Sequence, residues 1–358
     1  MRIVEIDGSM LEGGGQILRM SIALSAVTGV PVRVYNIRAK RRDPGLKAQH
    51  MTAIRAVATL VKAEVKGLAL RSRELYFTPR TVSSGSFKFD VGTAGSTTLV
   101  LQSLLPTAAF APSKVNVEVV GGTDNPLAPP VDYIGNVLRP IVAKMGFSFE
   151  MSVLRRGFYP RGGGIVRASM KPVVQLSPLR LSERGEVKVV RGISYSSRLP
   201  EHIARRMADS ASKLLKSEGL DVDIKLEVLQ PGHPKCALNP GCGIVLWAET
   251  TTGAILGSDS LGEKGKPAER VGEEAAQKLI EELRSEATVD SHASDQLIVY
   301  MALASGESTI KTSKLTMHTL TCIELSKMLL PEVKFKVEEG KPTVIRCRGV
   351  GLRNRFLS

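Results

Sequence analysis

The sequence predicts an α+β fold made of three repeated βαβαββ units, with a smaller α/β domain inserted into the third. Three observations carry that expectation. One order of elements recurs three times along the 358 residues: a Gly- or Ser-rich turn, an apolar helix, a strand, a polar loop, a second helix and two closing strands. Apolar residues alternate at Val32 and Val34 and again at Val115, Val117 and Val119, the period-2 mark of half-buried strands. Corresponding strands of the first two units lie about 83 residues apart and those of the second and third about 190, so roughly 100 residues interrupt the third.

The start, RIVEID, reads as a strand directly after Met1 rather than as a signal peptide. The first unit then runs EGGGQILRMSIALSAVTG, VPVRVYNIR, AKRRDPG, LKAQHMTAIRAVATLVKA, EVKGLAL and ELYFTP. The second runs VGTAGSTTLVLQSLLPTAAF, SKVNVEVV, GGTDNPLAPP, VDYIGNVLRPIVAKMG, FSFEMSVL and GGIVRASM, with GFYPRGGG as a hairpin turn between its closing strands. The third runs SHASDQLIVYMALASG, ESTIKTS, KLTMHTLTCIELSKMLL, EVKFKVEE and PTVIRCRG. Residues 183–284 form the expected insertion, with helices at EHIARRMADSASKLLKSEG and AERVGEEAAQKLIEELR, strands at DVDIKLEVL and GIVLWAET, and a loop at GSDSLGEKGKPAE. Residues 1–182 and 285–358 then make the larger, three-unit domain.

Composition sets the class. Hydrophobic residues are 43% and charged residues 23%, enough to bury a core, and no apolar run reaches the length of a membrane helix, so a cytoplasmic protein is expected. Cys236, Cys242, Cys322 and Cys347 make no CxxC pair, which argues against zinc and against a disulfide framework. The net charge of +14 favours a polyanionic partner, while the 4% aromatic content gives little support to broad base-stacking platforms, so phosphate contacts are expected to dominate.

Candidate chemistry concentrates in loops. In EGGGQILR three glycines at a helix mouth let backbone N–H groups approach an anion, and Glu12 beside them offers a hard oxygen ligand for a divalent ion. No GxxxxGK[ST] or GxGxxG pattern accompanies them. The stretch IRAKRRDPGLKAQH gathers Arg38, Lys40, Arg41, Arg42 and Lys47 ahead of Gln49 and His50, a cationic clamp suited to phosphate. His318 falls with Cys322, Leu325 and Leu329 at i, i+4, i+7 and i+11, the buried stripe of an amphipathic helix, so a packed histidine competes with a reacting one.

EGGGQILR, IRAKRRDPGLKAQH, GGTDNPLAPPVDYI, GFYPRGGG, SDQLIVYMALASG and the histidine of TMHTL stand in the order found in the RNA 3′-terminal phosphate cyclase family, which the whole chain resembles. The resemblance implies three βαβαββ units like the C-terminal domain of a translation initiation factor, plus an inserted α/β domain. It implies an ATP-dependent enzyme that turns an RNA 3′-phosphate into a 2′,3′-cyclic phosphodiester through histidine-AMP and RNA-adenylate intermediates. By the same resemblance His318 is the nucleophile, and Glu12 binds magnesium or manganese. Arg19, Arg38, Arg41, Gln49 and His50 would contact phosphates, and Gln102, Pro130, Asp295 and Gln296 adenosine. His292 occupies the place of an aromatic tyrosine in relatives and would stack on adenine more weakly.

Competing expectations are a non-catalytic RNA-binding protein of ribosomal RNA maturation, which the family's second branch represents without the histidine, and an enolpyruvyl-transferase-like enzyme on similar repeats. A cyclic-phosphate hydrolase with paired HxT/S motifs fails on counting, since His292-Ala293-Ser294 fits and His318-Thr319-Leu320 does not.

Overall fold

The computed structural model describes residues 3–357, which form a mixed α and β architecture of four small sheets and their helices. The first sheet contains β1 (Val4–Asp7), β2 (Val32–Tyr35), β3 (Glu64–Lys66) and β4 (Leu75–Thr78) in the order β1-β2-β4-β3, with helices α1 (Gly15–Thr28) and α2 (Ala48–Val61) between its strands. A second sheet repeats that order as β5-β6-β8-β7, from β5 (Gly85–Asp90), β6 (Val115–Gly121), β7 (Phe149–Arg155) and β8 (Gly164–Met170). In both, the first two strands are parallel and the rest antiparallel.

The helical part of the second unit departs from the single helix expected after GGTDNPLAPP. Following α3 (Thr97–Ala108), the chain forms α4 (Val131–Tyr133), a π-turn over Ile134–Leu138, and α5 (Arg139–Ala143). Pro140 explains the widened turn, because its ring crowds the carbonyl four residues back and brings no N–H to the ladder.

Residues 187–284 build a sheet of their own from β9 (Val187–Ser197), β10 (Val222–Leu229), β11 (Gly241–Thr250) and β12 (Ile255–Leu261), covered by α6 (Glu201–Ser217) and α7 (Ala268–Arg284). Here GSDSL is strand rather than loop, for β12 pairs antiparallel with β11 throughout. Its small residues have structural uses: Ser258 Oγ donates to Ala275 O at 2.7 Å, and a Cβ at Gly257 would meet Tyr133 Cε2 at 2.7 Å.

The last sheet, β13 (Glu307–Thr312), β15 (Thr343–Arg348) and β14 (Lys334–Glu338), carries α8 (Ser291–Leu303) and α9 (Met317–Leu329). Residues 179–181 run parallel beside β13, with Leu181 N donating to Thr309 O at 2.9 Å and Thr309 N to Leu179 O at 2.7 Å. They hold the position that β1 holds beside β2. Helices α1, α3 and α8 are buried almost all round, as expected of central helices, and pack with α2 and α9 into one core between the sheets.

Candidate active site

Four helices begin at one cleft. Gly15 of α1, Lys47 just before α2, Ser96 just before α3 and His318 in the first turn of α9 all line a cavity of about 590 Å³. Each helix start contributes a partial positive charge and N–H groups without intrahelical partners, so their convergence favours an anion. Arg19, Arg38, Arg41 and Lys47 add full charges on the same walls. The triple glycine makes this approach feasible, since a side chain at Gly14 would collide with Glu12 and Arg41, and one at Gly15 with His50.

The basic loop is held in shape by its own backbone. Arg38 Nη1 donates to Asp43 O at 2.7 Å and Gly45 O at 2.9 Å, and Arg41 Nη2 binds Glu12 Oε2 at 2.8 Å. Glu12 Oε1 also accepts from Gln16 N at 3.2 Å. His50 is 3% exposed, and its Nδ1 accepts from Lys47 N at 3.1 Å, so that nitrogen carries no proton. Burial and the cations Arg19, Arg38 and Lys47 push its pKa down to about 3.

His318 leaves the buried stripe. Cys322, Leu325 and Leu329 are buried at 0%, 0% and 3%, but His318 sits one turn earlier, where the helix emerges, and its side chain is exposed to the cleft. Thr316 caps α9 by accepting from Thr319 N at 3.0 Å. The His318 Nδ1–H donates to Gln16 Oε1, while Gln16 Nε2 faces Cys322 Sγ at 3.2 Å and the Asp295 carboxylate. Those partners fix the orientation of the Gln16 amide, and the amide fixes the imidazole tautomer, leaving the Nε2 lone pair free. Desolvation lowers the imidazole pKa; Glu12 opposes this, and Arg19, His292 and Arg41 add to it. The ring is therefore neutral and nucleophilic near neutral pH.

Glu12, Arg19, Arg38, Arg41, Gln49, His50 and His318 thus share one cavity, whereas Gln102, Pro130, His292, Asp295 and Gln296 do not line it. The second group belongs to the flank where α3 packs on α8, with Thr98 Oγ1 donating to Pro129 O at 2.8 Å and the Tyr133 ring edge-on to His292 at 6.4 Å. Asp295 bridges the two groups through Gln16 and Arg19, and desolvation pushes its carboxyl up to about 7. Buried polar atoms with no hydrogen-bond partner among the described residues include Arg19 Nε, Gln102 Oε1, Asn125 Oδ1 and Gln296 Oε1. Leaving such atoms unanswered costs about 1–3 kcal/mol each, which a ligand would recover.

Glu12 suits a divalent ion delivered with a polyphosphate. Its side chain is 4% exposed and supplies hard oxygens, and among the described residues no cluster of three or more His, Cys, Asp or Glu would hold a metal alone. One carboxylate completed by phosphate oxygens and water is a usual magnesium arrangement.

Lys47 of the expected clamp also lines the cavity, whereas Gln16, Asn125, Leu127 and Tyr159 line or organise the site but carried no sequence signal as site residues. Gln16 lies inside EGGGQILR between Glu12 and Arg19, and a glutamine in a helix has no distinctive spacing.

The family model for RNA 3′-terminal phosphate cyclase matches residues 10–337. A protein of that name from Hyperthermus butylicus is 53% identical over 342 residues, covering 94% of each chain. Another from Ignicoccus hospitalis is 50% identical over 351 residues, 97% of this chain and 99% of its own. The enolpyruvyl transferase NikO from Streptomyces tendae aligns at 11% identity with a TM-score of 0.20, covering 99% of this chain and 83% of that one, too distant to bear on the fold.

Proposed function

The chain belongs to the RNA 3′-terminal phosphate cyclase family, and from that premise we propose that it uses ATP to convert an RNA 3′-terminal phosphate into a 2′,3′-cyclic phosphodiester, releasing AMP and pyrophosphate. One observation carries the reading: a neutral imidazole with a free Nε2 stands where four helix N-termini and four cationic side chains converge. Lys47, His50, Ser96 and Tyr159 share the cavity, but among them His50 is 3% exposed with its Nδ1 engaged by Lys47 N, whereas His318 opens to the cleft.

Direct attack of the 2′-OH on the terminal phosphate would expel oxide or hydroxide, poor leaving groups. Three displacements avoid this. His318 Nε2 attacks the α-phosphorus of ATP and the bond to pyrophosphate breaks, while Gln16 Oε1 holds the Nδ1 proton as the ring becomes positive. An oxygen of the RNA phosphate next attacks that phosphorus, breaks the P–N bond and returns neutral His318. The adjacent 2′-oxygen then attacks the RNA phosphorus, loses its proton, and AMP departs. Arg19, Arg38, Arg41, Gln49 and His50 would bind the phosphates that gain charge in these steps. Gln102, Pro130, His292, Asp295 and Gln296 would bind adenosine, and the unanswered oxygens of Gln102 and Gln296 support that role. Glu12 would hold magnesium or manganese, whose charge neutralises the polyphosphate.

The finer architecture follows the same reading. Residues 1–182 and 285–358 are three βαβαββ units of the initiation-factor type, supported by the shared strand order and by the parallel pairing of residues 179–181. Residues 183–284 are a domain inserted after the first strand of the third unit. Among the described residues no helix is long and apolar enough to cross a membrane, and the four unpaired cysteines support a cytoplasmic setting. A non-catalytic RNA-binding role would leave the poised histidine without a use.

Incubation with α-labelled ATP and a divalent metal should label the wild-type protein through an acid-labile, alkali-stable phosphoramidate, and His318→Ala should take up no label. Equal labelling of both proteins, or of neither, would refute the mechanism.

A further inference from the structure

One wall of the cleft is used neither by the phosphate-binding residues nor by the adenosine group. It is formed by two loops of the second unit, around Leu127 and Tyr159, which line the same cavity as His318, Arg38 and Arg41. Leu127 is fully exposed at 103% and Tyr159 at 77%, the two most exposed large hydrophobic residues among those described. Leu127 also adopts a φ of 63°, a conformation costly for a leucine and one that no contact of its side chain repays.

Beneath the rim both loops are anchored. Asn125 Nδ2 donates to Ala94 O at 2.5 Å, and a Cβ at Gly162 would meet Ala94 Cα at 2.7 Å. Phe158 is buried at 6% and stacks on Tyr195 at 6.2 Å, so the FYP sequence turns one ring inward and leaves the next outward. Asn125 Oδ1 lies buried against Gly122 beneath the rim, so this side chain braces the loop from below. Two costly exposures side by side on a rigid support are the signature of a surface built for a ligand.

We propose that Leu127 and Tyr159, with Pro126 and Pro160, form the platform on which the 3′-terminal nucleoside of the RNA stacks while its phosphate reaches toward His318. This rests on the cyclase reading above and names the part of the substrate that the cations leave unheld. The arginine wall opposite attracts the RNA backbone, and an aromatic and aliphatic surface accepts any base, since every base has a π-face. Adenosine does not compete for the platform, because the residues matched to it lie outside this cavity.

The test measures the Kd of a short 3′-phosphorylated oligonucleotide and, separately, labelling of His318 by α-labelled ATP. Tyr159→Ala and Leu127→Ala should each weaken RNA binding about tenfold, and Tyr159→Phe should restore it. An oligonucleotide with an abasic terminal residue should lose a similar factor on wild type and nothing further on Tyr159→Ala. Leu226→Ala, which removes an exposed leucine on β10, should change neither readout. Unchanged RNA affinity in both platform variants would overturn the proposal, as would a raised KM for ATP, which would assign the platform to the nucleotide. Loss of RNA affinity in a protein whose His318 takes no label would refute the cyclase reading and leave the platform standing.

Discussion

Two buried arginines show how differently one residue type is used in this molecule. Arg156 is answered on every side: Asp132 at 2.8 Å, Asp124 at 3.4 Å and Glu227 at 2.5 Å, with Tyr195 beneath its guanidinium at 3.9 Å. Glu227 and Tyr195 come from the 187–284 sheet and the rest from the second unit, so the cluster ties the two together. Arg19, 9% exposed, makes no ion pair among the described residues and leaves Nε unsatisfied beside the cleft. Burial disfavours its charge, and the nearby Glu12, Asp295 and Cys322 only partly compensate. A fully satisfied buried charge is part of the structure, whereas an unsatisfied one waits for a ligand.

The largest expected effect breaks the second half of that contrast. Arg19→Met should lower the rate of His318 labelling by about 10²–10³-fold, the cost of removing one preorganised charge from a transition state. Folding stability should stay within about 1 kcal/mol or rise, because a buried cation without a partner has been removed. Labelling rates and urea midpoints on one preparation check both. A strongly destabilised but catalytically normal variant would show that Arg19 is structural.

Arg156→Ala should behave in the opposite way. Removing the shared cation strands Asp124 and Asp132, while Glu227 keeps Lys235 at 3.0 Å, and costs about 3–5 kcal/mol, read as a lower urea midpoint. Once corrected for the folded fraction, the labelling rate should fall much less than in Arg19→Met. If the two variants gave the same pattern, satisfaction of charge would not separate support from function here.

The sequence made these regions unequally legible. Glycines at a helix mouth and clustered cations have local signatures, which mark Glu12, Arg38 and Arg41, whereas Arg19 and His50 stand out only through the family resemblance; all five share the cleft. Arg156 precedes GFYPRGGG without any local mark, because its partners lie 24 to 71 residues away in the chain. Gln16 matters only through three side chains brought by α8 and α9. The apolar stripe of α9 is buried at Cys322, Leu325 and Leu329, but periodicity does not reveal where a helix leaves the core, and His318 is at that point. Small polar residues made GSDSL look like a loop, since the bulk that requires Gly257 belongs to Tyr133 in another unit.

The smallest effect sharpens the contrast through pH. His50 is held neutral by burial and by Arg19, Arg38 and Lys47, with a folded pKa of about 3 against about 6.5 when unfolded. Because the unfolded chain takes up the proton first, this residue leaves stability intact above about pH 6.5. As pH falls from there toward 3 it destabilises the protein, by up to about 1.4 kcal/mol per pH unit. His50→Gln should remove that part of the acid sensitivity, so that from pH 7.5 to 5.5 wild type loses about 1 kcal/mol more than the variant. Pyrophosphate should shrink the difference, because an anion among those cations makes a protonated His50 less costly. The Arg156 cluster already contains its anions, and added pyrophosphate should leave its response to acid unchanged. An equal effect of pyrophosphate on wild type and His50→Gln would mean that the cleft is not the source of the acid sensitivity.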